Sequence, residues 1–64
     1  MSLYDYELSK KLMMDDPPFY ALIMAAMRKA DTYNLERLKV GFFDTWEELQ
    51  ARYNAPGGRL EGDE

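Results

Sequence analysis

An apolar run at residues 19–27, with the sequence FYALIMAAM, limits the folds open to this 64-residue chain more than any other segment. Its only polar side-chain group is the tyrosine hydroxyl, and it follows two prolines, which are typical of the first turn of a helix. A helix that is apolar on all sides must be buried on more than one side. In so short a chain, the run predicts either a tightly wrapped central helix or a partner chain that covers its remaining face.

Composition limits how such a fold can be stabilised. A chain of 64 residues is near the lower size at which one hydrophobic core holds a fold without a further staple. The chain contains no cysteine and no histidine, which excludes disulfides and the usual zinc and haem ligands. Hydrophobic residues make up 47% of the chain, which is too many for a disordered protein. We therefore expect one folded domain, residues 1–54, with no metal or other cofactor and with self-association as its staple.

Hydrophobic spacing predicts four short helices, and no segment shows the alternating pattern of a strand. The helices are expected over residues 3–14, 17–30, 32–40 and 45–53. The fold class is therefore all-α, a small bundle of three to four short helices. The second helix is expected to be central, with the first, third and fourth packed around it. Much of the apolar core is expected from four aromatic residues, Phe19, Phe42, Phe43 and Trp46.

Capping residues set the predicted boundaries. Ser2 and Asp16 are the expected N-caps of the first two helices, because their side-chain oxygens can accept a free backbone amide. Gly41 is the expected stop of the third helix. Two overlapping capping boxes, beginning at Asp44 and Thr45, predict the start of the fourth.

The central helix is expected to bury one face and to offer the other to a copy of itself. The buried face would comprise Phe19, Leu22, Ile23, Ala26, Met27 and Ala30. The candidate oligomer interface comprises Tyr20, Ala21, Met24, Ala25 and Arg28. Two alanines four residues apart leave a shallow groove that another helix could approach closely. The alternative is a solvent-facing alanine stripe that serves helix propensity.

The side-chain inventory does not favour catalysis. Without histidine or cysteine, the available nucleophiles are hydroxyls, and none has a base beside it: Ser2 and Thr45 are predicted caps, and Ser9 and Thr32 stand alone. The net charge of −4 is a poor match for a phosphate backbone, so no direct nucleic-acid binding is expected. The apolar run is too short to cross a membrane, and no signal peptide is recognised. We expect a soluble, cytoplasmic protein that is not an enzyme.

The C-terminal segment is the one stretch that combines arginines, an aromatic ring and a Gly-Gly pair. Backbone amides of such a pair can hold an anion, and the ring could stack on a base. The candidate ligand-binding residues are Arg52, Tyr53, Asn54, Gly57, Gly58 and Arg59. The alternative is an ordinary helix end followed by a flexible, acidic tail, residues 55–64.

Residues 19–27 (FYALIMAAM), 30–32 (ADT) and 46–58 (WEELQARYNAPGG) resemble short helical proteins encoded in bacteriophage and prophage genomes. The resemblance implies a context, action by binding in the host cell cytoplasm and a tendency to oligomerise, and it implies no site residue. The leading hypothesis is a non-enzymatic, homo-oligomeric interaction protein directed at a host protein or defence component. One alternative is a binder that sequesters a nucleotide or similar anion through the C-terminal segment. A third, ranked last, is an acidic mimic of DNA formed by residues 44–64.

Overall fold

The computed structural model describes residues 2–63, which form four α-helices and one 3-10 turn. The helices are α1 (Leu3–Met13), α2 (Phe19–Lys29), α3 (Thr32–Gly41) and α4 (Phe43–Asn54), and the 3-10 turn covers Pro56–Gly58. No strand is present in residues 2–63. The predicted all-α fold class is therefore confirmed.

Two helix starts follow the rules for side-chain caps. The Ser2 hydroxyl accepts a hydrogen bond from the Asp5 amide at 3.1 Å and donates one to the Asp5 carboxylate, as the sequence predicts. The Asp31 carboxylate accepts a hydrogen bond from the Asn34 amide at 2.8 Å and so caps α3. In both cases the side chain satisfies an amide that has no partner within the helix.

The predicted cap of α2 is wrong. Pro18, not Asp16, is the N-cap residue, and it is extended with φ −58° and ψ 146°. Asp16 instead lies in the linker with φ +47°, in the left-handed region. The reason is the second proline: a residue that precedes a proline is disfavoured in the helical region, so Pro17 cannot open the helix and α2 begins only after Pro18.

The predicted start of α4 is also wrong. The N-cap of α4 is Phe42, which has no side-chain cap, and Asp44 and Thr45 lie inside the first turn. The same residue is the C-cap of α3, with its amide bonded to the Leu38 carbonyl at 2.9 Å and its carbonyl bonded to the Trp46 amide at 3.0 Å. A single residue thus joins the two helices, which leaves no loop in which the capping boxes could form.

The packed unit consists of α2, α3 and α4, with α4 against both of the others. Only Met27 and Leu49 are buried among the described residues, with exposed fractions of 3% and 7%. The prediction of an aromatic core is wrong in part: Phe42 and Trp46 are half-buried, whereas Phe19 and Phe43 are more than half exposed. Of the predicted inner face of α2, Ala26 is exposed as well. The helix turns Met27 toward α4, and Leu22, Ile23, Met24 and Ala30 are half-buried beside it.

The first helix does not join this unit as the sequence predicts, since α1 has no buried residue. It is connected to α2 through Asp16 in its left-handed conformation and Pro18 in its extended one. The overall shape is accordingly elongated, 41 × 28 × 17 Å, with a radius of gyration of 13.6 Å. A compact chain of this length has a radius of gyration of about 11 Å.

The accessible surface measures the same departure from a compact fold. It amounts to 5722 Å². A compact monomer of this 7.5 kDa mass exposes about 4,200 Å². The single chain therefore exposes about 1,500 Å² more than a self-sufficient fold of its mass.

Candidate functional site

An apolar groove lies where α4 meets α2 and α3, and its volume is about 600 Å³. We call it the groove. Its apolar lining comprises Met27, Leu35, Trp46, Leu49 and Tyr53. Three polar side chains complete the lining, Arg28, Gln50 and Asn54. The groove thus reaches the two buried core residues, and Arg28 is its one charged lining residue.

Trp46 is held in place beside the groove by a neighbouring cation. The Lys39 ammonium lies 4.7 Å from the centre of the Trp46 ring and 3.3 Å from a Glu36 carboxylate oxygen. A cation above an aromatic face is attracted by the negative charge of the ring, which is worth about 0.5–1 kcal/mol at an exposed site. The contact therefore favours this orientation of the Trp46 ring by a small amount of free energy.

The second open apolar surface belongs to α1. Tyr4, Leu8 and Leu12 recur every four residues along one side of the helix, and we call them the α1 stripe. Tyr4 and Leu12 are 71% and 61% exposed. The side-chain hydrogen bonds of α1 are local, such as the one that the Ser9 hydroxyl donates to the Tyr6 carbonyl. A helix of 11 residues is marginal in water without tertiary packing. Because no residue of α1 is buried, α1 lacks such packing within one chain.

The candidate interface residues lie along one side of α2 and border two different cavities. Tyr20 and Met24 line a shallow cleft of about 280 Å³ at the start of α4, together with Asp44, Thr45 and Glu48. Ala21 and Ala25 are exposed, and Arg28 borders the groove. The predicted role of these residues in self-association stays a prediction.

Arg52 connects α4 to the C-terminal segment. Its guanidinium donates two hydrogen bonds to the Asp63 carboxylate, at 2.7 and 2.8 Å, and one each to Glu48 at 3.0 Å and to the Gly58 carbonyl at 2.9 Å. The Asp63 carboxylate also accepts the Leu60 amide at 2.9 Å. We call this set the Arg52 clasp. Bidentate pairing of this kind is among the stronger polar contacts in proteins, and it folds residues 55–63 back against α4.

The clasp shifts the pKa of both charged groups. The hydrogen bonds from Arg52, followed by the one from the Leu60 amide, lower the pKa of Asp63 from 3.8 to about 2. Hydrogen bonds to Asp63 and then to Glu48 raise the pKa of the Arg52 guanidinium further above its ordinary value. Each shift favours the charged form, so the pair is ionised at every physiological pH.

Most of the candidate ligand-binding residues are engaged within the chain. Besides Arg52, the Asn54 side chain donates to the Gln50 carbonyl at 3.0 Å. The amides of Gly58 and Arg59 donate to carbonyls of the turn. The structure therefore brings these residues together at the C-terminal end of α4 and in the turn that follows it. Tyr53, 77% exposed and on the groove, is free to contact another molecule.

We expect the Asp63 carboxyl to titrate with a pKa of about 2, measured by carbon-13 NMR of its side-chain carboxyl. Because this pKa is lowered in the folded chain, the clasp contributes stability that is complete above pH 3.8 and is lost as the pH falls through about 2. In an Arg52→Gln variant the midpoint should return toward 3.8. Equal midpoints in the two proteins would show that the clasp does not form in solution.

Sequence reasoning missed two parts of the site. It did not identify the groove that Leu35, Trp46 and Leu49 line. It also packed the α1 stripe into the bundle. The spacing of Trp46, Leu49 and Tyr53, three and four residues apart, was the signal that could have indicated the groove, because it places three apolar side chains on one side of α4.

These surfaces define a small all-α protein with an open apolar groove and an open apolar helix. Comparisons with protein-family models, with curated proteins and with solved structures give no match for this chain. Among residues 2–63, no helix has both the length and the apolar character required to cross a membrane.

Proposed function

We propose that this chain is a non-enzymatic helical interaction protein that works as a homo-oligomer. The observation that supports the proposal best is α1, a helix that is formed but has no buried residue. An 11-residue helix gains little from helix propensity alone, and most helical stability comes from packing an apolar face. Contacts from another chain would supply that packing.

The amount of open apolar surface supports the same proposal. Thirteen large hydrophobic residues are exposed among the described ones, and they include seven on or next to α1. Scattered exposed hydrophobic residues are ordinary, but a contiguous apolar surface of several hundred Å² is typical of an interaction site. With only two buried residues in the part of the chain that the structure describes, the core is also small for the length of the chain.

The target beyond the chain itself is proposed to be a protein of the host cell or of its defence systems, in keeping with the resemblance to phage-encoded proteins. Residues 44–64 carry six of the twelve acidic residues, and three of these, Asp44, Glu47 and Glu61, are exposed and could meet a basic partner. The anion-binding alternative receives less support, because the Arg52 guanidinium is already bonded to Glu48, Gly58 and Asp63.

Light scattering on the full chain at a series of concentrations tests this proposal. We expect a mass of about 15 kDa or more, at least twice the 7.5 kDa of one chain, because a closed symmetric dimer is the commonest homo-oligomer. The mass should fall toward that of one chain on dilution. A stable chain that keeps the mass of a monomer at every concentration would contradict self-association.

A further inference from the structure

We propose that α1 of one chain lies in the groove of a second chain, and that the second chain returns its own α1 to the first. This inference rests on the proposed self-association and adds which segment fills which site. The two surfaces are the apolar α1 stripe and the groove beside Met27 and Leu49. A two-fold symmetric dimer forms this contact twice, so the groove of each chain is filled by α1 of the other.

The two surfaces match in length. The α1 stripe extends from Tyr4 to Leu12, which is about 12 Å along a helix that rises 1.5 Å per residue. On α4 the apolar lining of the groove extends from Trp46 to Tyr53, about 10 Å by the same measure. The α1 stripe, about two helical turns long, can therefore cover the apolar lining of the groove from end to end.

The two surfaces also match in chemistry. The side chains offered by α1 are one tyrosine and two leucines, and the groove offers aliphatic, thioether and aromatic groups. Arg28 is the one charged residue of the lining, and no carboxylate of residues 2–63 forms an ion pair with it. Asp5 borders the α1 stripe, one residue past Tyr4, and supplies the opposite charge at that edge.

The linker favours exchange between chains. The linker contains Asp16 in the left-handed region with φ +47° and the extended Pro18, and the α1 that it connects to α2 has no buried residue within its own chain. A short, strained linker between helices favours domain swapping, because the swapped helix packs on a second copy and the linker need not fold back on its own chain.

The area available is sufficient. A stable interface of standard size buries about 800 Å² on each partner. The surface exposed beyond that of a compact chain of this mass is about 1,500 Å². The excess surface is therefore larger than the area that an interface of standard size buries on one partner.

Disulfide trapping between two single-cysteine variants tests the arrangement, because the chain contains no cysteine of its own. Lys11→Cys places a thiol at the border of the α1 stripe. Gln50→Cys and Asn54→Cys place one on the groove rim, one turn apart, so that both directions of α1 along the groove are sampled. A size tag on one partner separates the mixed disulfide from self-pairing. Lys10→Cys is the matched control, because it lies on the opposite side of α1 from the stripe.

We expect mixing Lys11→Cys with one of the groove variants to give a mixed disulfide in most of the chains, and mixing Lys10→Cys with the same variant to give at least tenfold less. Equal trapping by the two α1 positions would overturn the proposal. So would a dimer by light scattering that neither groove position traps, although self-association would then still stand. In the double variant Lys11→Cys/Gln50→Cys, a disulfide confined to one chain would overturn exchange by showing α1 in its own groove. A monomer by light scattering would overturn self-association itself.

Discussion

Replacing Leu49 with alanine is expected to unfold much of the chain at room temperature. Removing a buried leucine side chain costs about 2–5 kcal/mol, as lost transfer free energy and as the cost of the cavity. A single core in a chain of this size supplies rarely more than about 3–5 kcal/mol. Because Leu49 and Met27 are the only buried residues in the described part of the chain, no second cluster can compensate.

The measurement is urea unfolding followed by far-UV circular dichroism and Trp46 fluorescence, at equal chain concentration. Val40→Ala is the matched control, because Val40 is apolar and helical but 89% exposed. We expect it to change the free energy of unfolding by less than about 0.5 kcal/mol. If Leu49→Ala unfolded at the same urea concentration as Val40→Ala, the core would not be centred on α4.

Replacing Leu12 with glutamate is expected to raise the dimer dissociation constant by a factor of about 10²–10⁴. Each buried leucine contributes about 1.5–3 kcal/mol, and a symmetric dimer loses two of them, or about 3–6 kcal/mol in total. Each 1.4 kcal/mol corresponds to about tenfold in affinity. Leu12 is exposed in the single chain, so the packed unit of α2, α3 and α4 should keep its stability.

Lys10→Glu is the control for this change. It lies on the other side of α1 and alters the charge by two units instead of one, so general repulsion between acidic chains would show more strongly there. Light scattering on a dilution series measures both variants. A Leu12→Glu variant that remained a dimer would show that the α1 stripe is not the interface. If Ala21→Glu dissociated the dimer and Leu12→Glu did not, the interface would lie at the alanines of α2.

Local patterns predicted the helices better than their packing. The Ser2 cap and the start of α3 after Asp31 depend on side chains within three residues, so the sequence specifies them directly. The start of α4 was mispredicted because capping boxes assume a loop, and the single residue Phe42 leaves none. The inner face of α2 was mispredicted at Phe19 and Ala26, because a helix that is apolar on all sides does not indicate which side its neighbours occupy.

The site was harder to predict for a related reason. A groove is a property of three helices together, so the spacing of Trp46, Leu49 and Tyr53 indicates one wall and says nothing of the others. The pairing of Arg52 with Asp63 joins residues eleven apart across a turn, beyond the range of any local rule. The positive φ of Asp16 in the linker after α1 could not be predicted either, because aspartate adopts positive φ in only a minority of its occurrences.

The separation of α1 from the other helices divides the folding of this protein into two steps of different order. Helices α2, α3 and α4 are consecutive in the chain and pack within it, and a small helical unit of this kind folds fast and at a rate independent of concentration. If α1 is seated in a second chain as proposed, that step is bimolecular. A newly made chain would then keep an unpacked, protease-sensitive N-terminal helix until other chains accumulate, and the lifetime of the protein would rise with its own abundance.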